Sequence, residues 1–220
     1  MNPKILILAA TSAEIKPFLD HFTLAPNKFI EHAEFDVLIS GVGAWATAFS
    51  LAKYIQKHYM LILNVGIAGS FDRNLQLGSV CVISQDCFAD FGAESPTEFL
   101  TAEKLGLGIN HYSTTIPQNF IPFLNNLPKV SGITVQKAHG KTESISFIQS
   151  YFPAQTESME GAAVFFSAQE LNIPALQVRS ISNFVEPRNK ANWDIPLALQ
   201  NLNKWLINFI TDINEIKMTN

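Results

Sequence analysis

Cysteine and long hydrophobic runs are both scarce in this chain of 220 residues. Cys81 and Cys87 are its only cysteines, which is too few for a disulfide framework. We predict that both are small buried residues in or beside one strand, as suits a protein of a reducing cytoplasm. The apolar run at residues 5–10 is too short to cross a membrane, and it favours a first β-strand over a signal peptide.

Charge is also scarce, and it is not concentrated anywhere. Charged residues make up 15% of the chain, the net charge is −4, and no Lys/Arg cluster occurs. Nucleic acids and anionic membranes select for basic patches, so we expect neither as a partner. The five histidines form no pair at metal-ligand spacing with each other or with cysteine, which argues against a metal site. With 47% apolar residues, residues 1–220 are predicted to form one large domain.

Short apolar runs alternate with longer amphipathic stretches along the chain. The predicted strands lie at residues 4–9, 35–40, 61–65, 80–84, 132–136 and 175–181. The predicted helices lie at residues 12–22, 44–58, 142–150, 159–171 and 195–210. Because parallel strands need crossover connections, this alternation predicts an α/β fold of three layers, with a mixed, mostly parallel central sheet flanked by helices. Residues 90–129 have weak periodicity, and we expect loops and one or two short helices there.

Two glycine-rich segments follow predicted strands. Gly41 and Gly43 precede a helix, and residues 66–69 close the strand at 61–65. The first segment is close to a dinucleotide-binding fingerprint, but it opens the second βα unit, and residues 61–63 are apolar where the ribose-binding acid belongs. We therefore favour a tight strand-to-helix turn over binding of NAD by an oxidoreductase.

Three polar residues stand at ends of predicted strands or helices: Glu14, Glu160 and Asn183. Each has a structural interpretation. Thr11 and Glu14 match a capping box, Glu160 lies in the first turn of a helix, and Asn183 suits a turn. That interpretation does not explain why all three face the same edge of the predicted sheet, where open α/β sheets bind ligands.

Five segments together resemble the nucleoside phosphorylase/nucleosidase superfamily, and within it the methylthioadenosine/S-adenosylhomocysteine nucleosidases and the futalosine hydrolases. They are residues 10–14 (Ala-Thr-Ser-Ala-Glu), 40–43 (Ser-Gly-Val-Gly), 64–69 (Asn-Val-Gly-Ile-Ala-Gly), 159–163 (Met-Glu-Gly-Ala-Ala) and 179–183 (Arg-Ser-Ile-Ser-Asn). The match runs from residue 4 to about residue 206 and is weakest at residues 90–129. Residues 182–196 also resemble the corresponding region of the futalosine hydrolases, including its Trp-Asp-Ile-Pro segment.

The resemblance implies a hydrolase that acts on a purine nucleoside and requires no metal or organic cofactor. Glu14 would orient the attacking water and take its proton, as a general base does. Glu160 would accept hydrogen bonds from ribose hydroxyls and stabilise the positive charge that develops on the sugar. The other residues implied to border the pocket are Met159 beneath the sugar, and Ile67, Ala68 and Gly69 beside it.

Asn183 stands where the adenine-specific nucleosidases of this superfamily carry an aspartate. A carboxylate would face O6 of a 6-oxopurine acceptor to acceptor, whereas an amide can donate to O6 and accept from a protonated N7. We therefore expect hypoxanthine or guanine rather than adenine, with Ser182 holding the amide in orientation. The favoured substrate is futalosine of menaquinone synthesis, and Arg188 or Lys190 would pair with its carboxylate. An exposed loop position explains these two cations equally well.

Other functions stay open. A phosphorylase needs a phosphate-binding loop with Gly and Arg, which residues 9–13 lack, and Glu14 would repel the anion. A methylthioadenosine/S-adenosylhomocysteine nucleosidase is opposed mainly by Asn183. A non-catalytic nucleoside-binding protein would need the pocket but no water-activating carboxylate. The resemblance also implies a homodimer, with the aromatic segments 88–99 and 120–127 as candidate contacts.

Overall fold

The fold alternates strands and helices as the sequence predicts. The computed structural model describes residues 4–55, 59–114 and 116–218, with side chains to residue 213. Its strands are β1 (Lys4–Ala9), β2 (Phe29–Glu31), β3 (Phe35–Ile39), β4 (Tyr59–Ser70), β5 (Val80–Phe88), β6 (Gly92–Glu94), β7 (Phe99–Thr101), β8 (His111–Ser113), β9 (Lys129–Thr134), β10 (Thr156–Ser158) and β11 (Ala175–Phe184). Its α-helices are α1 (Lys16–His21), α2 (Ala44–Tyr54), α3 (Thr142–Tyr151), α4 (Gly161–Glu170) and α5 (Ile195–Met218).

Nine of these strands form one mixed sheet. The strand order is β10-β9-β5-β11-β4-β1-β3-β2, and β8 pairs with β5. The pairs β1–β3, β1–β4, β4–β11, β5–β9 and β9–β10 are parallel, whereas β2–β3, β4–β10, β5–β8 and β5–β11 are antiparallel. The prediction of an α/β fold with a mixed sheet is confirmed. Parallel strand pairs outnumber antiparallel pairs by only five to four.

The sheet is partly closed, which corrects the predicted simple three-layer arrangement around an open sheet. Besides its parallel partner β9, strand β10 also pairs with β4, through Thr156–Ser70 and Glu157–Gly69. Strands β4, β11, β5, β9 and β10 therefore form a ring. Closure is possible because β4 is 12 residues long, so its first half pairs with β1 while its far end reaches β10.

The glycine-rich segment at residues 66–69 lies inside β4, so the prediction of a turn there is wrong. This segment pairs with β11 throughout, and Gly69 also faces β10. The turn predicted at Gly43 is confirmed. Gly43 precedes α2 with φ of +92°, a backbone conformation that favours glycine. The end of the helix predicted at residues 44–58 lies partly outside the described residues, since 56–58 are not described.

Helices cover the sheet on both faces and bury two main apolar clusters. Helices α1 and α5 pack together over one face, where Phe18 and Leu206 join the core. Helices α2 and α4 pack together on the other face, where Leu51 and Val164 are buried. Both faces of the central strands are thus removed from water, which explains the nearly continuous apolar sequences of β1 and of the first half of β4.

Residues 90–129 contain more strand than the sequence predicts. Strands β6, β7 and β8 lie there, each three residues long, together with a 3-10 helix at Gln118–Leu124. Phe120 and Leu124 of that helix are buried in the core. These two side chains of the segment 120–127 are therefore occupied within the chain.

The two cysteines are buried and unpaired in β5, as predicted. None of the helices in the described part of the chain combines the length and apolar character that crossing a bilayer requires.

Candidate active site

Glu14 lies in the turn between β1 and α1. The backbone N–H of Thr11 donates to Glu14 Oε2 at 3.0 Å, and the Glu14 N–H approaches Thr11 Oγ1 at 3.4 Å. These are the reciprocal bonds of a capping box, although α1 itself begins only at Lys16. The other oxygen, Oε1, accepts from the backbone N–H of Ile67 in β4 at 3.4 Å. The capping interpretation therefore accounts for Oε2 of Glu14 but not for Oε1, which faces strand β4.

The surroundings of Glu14 alter its acidity. Burial raises the pKa of the Glu14 carboxyl, the positive charge of Arg179 lowers it, and the negative charge of Glu160 raises it again. The net direction is upward, because removal from water disfavours the charged form most. A carboxylate with a raised pKa is a stronger base than an exposed one, which suits proton abstraction.

Glu160 is buried at the residue that precedes α4. Its Oε1 accepts a 3.0 Å hydrogen bond from the backbone N–H of Gly43, at the start of α2. Its Oε2 lies 3.8 Å from Nη2 of Arg179. One carboxylate is thus fixed between the beginnings of two helices, where the helix dipoles favour negative charge.

Arg179 is the residue that sequence reasoning missed. It lies in β11 and is 1% exposed, and its Nη2 has no hydrogen-bond partner among the residues that the structure describes. A Cβ at Gly66 would stand 2.2 Å from Arg179 Nη1 and 2.8 Å from Glu14 Oε1. Gly66 therefore leaves the space in which these two side chains approach each other. A cation inside a strand predicted to be buried was the available signal.

Asn183 lies near the end of β11, beside Gly69. Its Oδ1 accepts a 2.8 Å hydrogen bond from the Ser182 hydroxyl, and its Nδ2 donates to the Phe184 carbonyl at 3.0 Å. The Ser182 hydroxyl also lies 3.2 Å from the carbonyl oxygen of Ala68. The amide is thus held in one orientation, with a second N–H and a second lone pair left for a ligand.

Met159 and Ile67 are half-buried, and each lies next to one of the two carboxylates. Met159 directly precedes Glu160, and the Ile67 N–H reaches Glu14. The structure thus brings Glu14, Glu160 and Arg179 together, and it positions Asn183 four residues after Arg179 on the same strand.

Arg188 lies on the exposed loop between β11 and α5. Its guanidinium stands over the Trp193 ring, 4.8 Å from the centroid, and its backbone N–H donates to the Gly140 carbonyl. The loop returns to the site, because the Asp194 N–H donates to the Ser182 carbonyl at 2.8 Å. Lys190 is exposed on the same loop. The stacking on Trp193 gives Arg188 a fixed direction that Lys190 lacks.

Across residues 4–55, 59–114 and 116–218, no three His, Cys, Asp or Glu side chains are grouped as the ligands of a metal ion would be.

An apolar surface lies next to the site, on the outer side of α2. Trp45 and Phe49, one helical turn apart, are 77% and 68% exposed. A groove of about 550 Å³ begins at Ala44, one residue after Gly43. Its apolar walls include Trp45, Phe91, Leu107, Ile109, Tyr112 and Phe166.

Known proteins share both the sequence pattern and the fold. Residues 4–211 match the family model described as the phosphorylase superfamily. A futalosine hydrolase of Acidothermus cellulolyticus is 31% identical, over 92% of this chain and 88% of its own length. A 5'-methylthioadenosine/S-adenosylhomocysteine nucleosidase of Colwellia psychrerythraea is 26% identical, over 83% of this chain and 80% of its own length. A crystal structure of the Helicobacter pylori nucleosidase of that name superposes with a TM-score of 0.80 at 21% identity, covering 96% of this chain and 98% of that one. Because the family model spans nearly the whole described fold, this chain belongs to the phosphorylase superfamily.

Proposed function

We propose that this chain hydrolyses the N-glycosidic bond of futalosine, releasing hypoxanthine and dehypoxanthine futalosine in menaquinone synthesis. The observation that carries the proposal is the convergence of Glu14 from the turn after β1, Glu160 from the residue before α4 and Arg179 from β11. Asn183, further along β11, adds an oriented amide. The 31% identity to a futalosine hydrolase over most of both chains supports the choice of substrate.

Glu14 activates the water. Its Oε1 takes a proton from water as the water oxygen forms a bond to C1' of the ribose, and the electron pair of the broken C–N bond leaves with the purine. The raised pKa of Glu14 makes it a stronger base than an exposed carboxylate, and the positive charge of Arg179 favours the ionised form that accepts the proton.

Glu160 holds the sugar. With one oxygen fixed by the Gly43 N–H, its remaining lone pairs accept hydrogen bonds from ribose hydroxyls. Positive charge develops on the sugar ring in the transition state, and a buried carboxylate stabilises that charge more strongly than water does. Met159, which precedes Glu160, packs beneath the ring.

Asn183 receives the leaving base. Its free N–H donates to O6 of hypoxanthine, and its free lone pair accepts from a protonated N7. N7 takes its proton from solvent, and the contact to O6 strengthens as negative charge moves onto the purine, which lowers the barrier to departure.

Phosphorolysis is the nearest alternative, and the loop after β1 disfavours it. The Thr11 N–H donates to the carboxylate of Glu14, so this loop already binds an anion of the protein itself. A phosphate there would lie against Glu14, and like charges repel.

We also propose a homodimer that covers the apolar face of α2. Trp45 and Phe49 are 77% and 68% exposed beside an apolar groove, and contiguous exposed apolar side chains mark contact surfaces. Of the two candidate contacts, the segment 88–99 lines the adjoining groove through Phe88 and Phe91, whereas Phe120 and Leu124 of the segment 120–127 are buried in the core.

The experiment compares futalosine, inosine and methylthioadenosine in phosphate-free buffer, with the released base followed by chromatography. We expect rapid release of hypoxanthine from futalosine and no need for phosphate. Glu14→Gln should lower kcat by about 100- to 10,000-fold, the usual contribution of a general base. Glu170→Gln, at the exposed end of α4, is the matched control and should leave kcat unchanged.

Four other results would each redirect the assignment. Release only after phosphate is added would indicate a phosphorylase, and dominant release of adenine from methylthioadenosine would indicate an adenine nucleosidase. Full activity in Glu14→Gln would remove the water-activating role, and binding without any turnover in the wild type would indicate a nucleoside-binding protein.

A further inference from the structure

A line of buried polar side chains continues from Arg179 through Gln177 and Asp86 to Thr134. Gln177, two residues before Arg179 in β11, accepts from Arg179 Nε through Oε1 at 2.9 Å. Its Nε2 donates to Asp86 Oδ2 in β5 at 2.9 Å. The other oxygen of Asp86 accepts from the Thr134 hydroxyl at 2.9 Å. All four side chains are buried, and the proposed hydrolysis assigns no step to Thr134, Asp86 or Gln177.

The chemistry of its two neighbours fixes the direction of the Gln177 amide. An ionised carboxylate only accepts hydrogen bonds, and a guanidinium only donates them. A primary amide offers a donor at one end and an acceptor at the other, so it can link the two. Rotating the amide by half a turn would set donor against donor at Arg179 and acceptor against acceptor at Asp86. Each such contact leaves a buried polar group unpaired, which is costly.

The beginning of α4 is shaped around this line of side chains. A Cβ at Gly161 would stand 2.0 Å from Asp86 Oδ2 and 2.3 Å from Gln177 Oε1, so no side chain fits there. The next residue, Ala162, donates its backbone N–H to the Thr134 hydroxyl oxygen at 2.7 Å. The same helix start therefore presents Glu160 to the site and encloses the polar line.

Arg179 is consequently held at Nε, while its two Nη groups remain available. Nη2 has no hydrogen-bond partner among the described residues, and it points towards Glu160 at 3.8 Å. Nη1 lies over Gly66, next to Glu14. A guanidinium anchored at Nε presents a planar fork with fixed geometry.

We propose that Asp86 and Gln177 are positioning residues that hold the Arg179 guanidinium in the gap between Glu14 and Glu160. The inference rests on the hydrolysis proposed above. Asp86 and Gln177 act only through Arg179, so they contribute to the placement of the guanidinium beside the two carboxylates that carry the reaction, and not to the binding of the substrate. Preorganised charge of this kind changes kcat more than KM.

A double-mutant cycle tests this dependence on Arg179. Gln177→Met, which keeps the length of the side chain but removes both hydrogen bonds, should lower kcat for futalosine by about 10- to 100-fold with KM changed less than about threefold. In an Arg179→Met background the same change should lower kcat less than about threefold further, because the group that it positions is gone. An equal loss in both backgrounds would overturn the proposal.

Variants at Asp86 separate positioning from general disruption. Asp86→Ala should behave like Gln177→Met, whereas Asp86→Asn keeps an acceptor for Gln177 Nε2 and should recover at least about tenfold in kcat over Asp86→Ala. Asp36→Asn is the structural control. Asp36 is an equally buried carboxylate in β3 that accepts from Lys4 and Tyr59, and its change should leave the kcat of folded protein unaltered. A kcat of Asp86→Asn no higher than that of Asp86→Ala would contradict the proposal.

A measurement without turnover separates this inference from the assigned reaction. The sequence has three arginines, and Arg73 and Arg188 are exposed. The ¹⁵N–¹H spectrum should therefore contain one Arg Nε–H that exchanges slowly with solvent, in wild type and Asp36→Asn, and it should exchange rapidly in Gln177→Met. Wild type that retains this signal but hydrolyses no nucleoside would refute the reaction alone. Fast exchange of all three Nε–H groups in wild type would refute the positioning of Arg179.

Discussion

The Ser182 hydroxyl donates a 2.8 Å hydrogen bond to the amide oxygen of its neighbour Asn183. The amide nitrogen of Asn183 is in turn bound to the Phe184 carbonyl. These two contacts decide which end of the amide faces a ligand, so a base with the opposite pattern of donors and acceptors would leave a buried polar group unpaired. Base selection therefore depends on the sequence neighbours of Asn183 as well as on Asn183 itself.

Asn183→Asp should shift the preference from 6-oxopurines to adenine. A carboxylate would face O6 acceptor to acceptor, so we expect kcat/KM for futalosine to fall by about 100-fold or more. Adenine release from methylthioadenosine should rise, because its 6-amino group can donate to the new carboxylate. Chromatography of the released bases measures both. Asn208→Asp on the exposed side of α5 is the control, and equal effects of Asn183→Asp on both substrates would refute the role in base selection.

The pH profile should report the raised pKa of Glu14. Only the ionised carboxylate accepts a proton from water, so kcat/KM should be constant at higher pH and fall as the pH decreases through the pKa of Glu14. Because burial raises this pKa, the fall should begin above the ordinary value of 4.5. Steady-state rates across pH 4 to 9 measure it, with circular dichroism to verify folding. A fall that begins only below 4.5 would contradict the assigned environment.

Arg188→Ala should affect futalosine more than inosine. Futalosine carries a carboxylate that inosine lacks, and a hydrogen bond between charged groups contributes about 1.5–3 kcal/mol. We expect the KM for futalosine to rise by about tenfold or more and the KM for inosine to change little. Lys190→Ala on the same loop is the matched control, since its side chain has no aromatic partner to direct it. Equal rises in KM for both substrates would refute the pairing.

The apolar face of α2 should control self-association. Trp45→Glu or Phe49→Glu places a charge in the proposed contact, so each should convert a dimer to a monomer in analytical ultracentrifugation. Ile121→Glu, a change at an exposed residue of the segment 120–127, should leave the dimer intact. Dissociation by Ile121→Glu alone would assign the contact to that other segment, and monomeric wild type would exclude the dimer.

Local sequence patterns predict the elements that are long and apolar, and they fail where structure depends on distant partners. Strand β1 lies where its apolar run predicts it, at Lys4–Ala9. Strands such as β10 have three residues, too few for any periodicity, and the pairing of β10 with β4 has no local signal. Gln177 and Arg179 are polar residues inside the buried strand β11. The partner of Gln177 is Asp86, 91 positions away, so no local pattern explains its presence. The catalytic candidates were predicted from the resemblance, because each alone has a plain structural interpretation.

The final strand in the sequence, β11, is inserted between β4 and β5 in the middle of the sheet. Until residues 175–184 emerge and pair, these two earlier strands have no common neighbour, and Glu14 lacks the positive charge of Arg179. Such long-range pairing is slow to form, because a large loop must close before any contact compensates for the lost chain entropy. We therefore expect the sheet to form cooperatively and only after residues 175–184 are available, with no partly active intermediate. Fragments that stop before residue 175 should be inactive and prone to aggregate through the unpaired edges of β4 and β5.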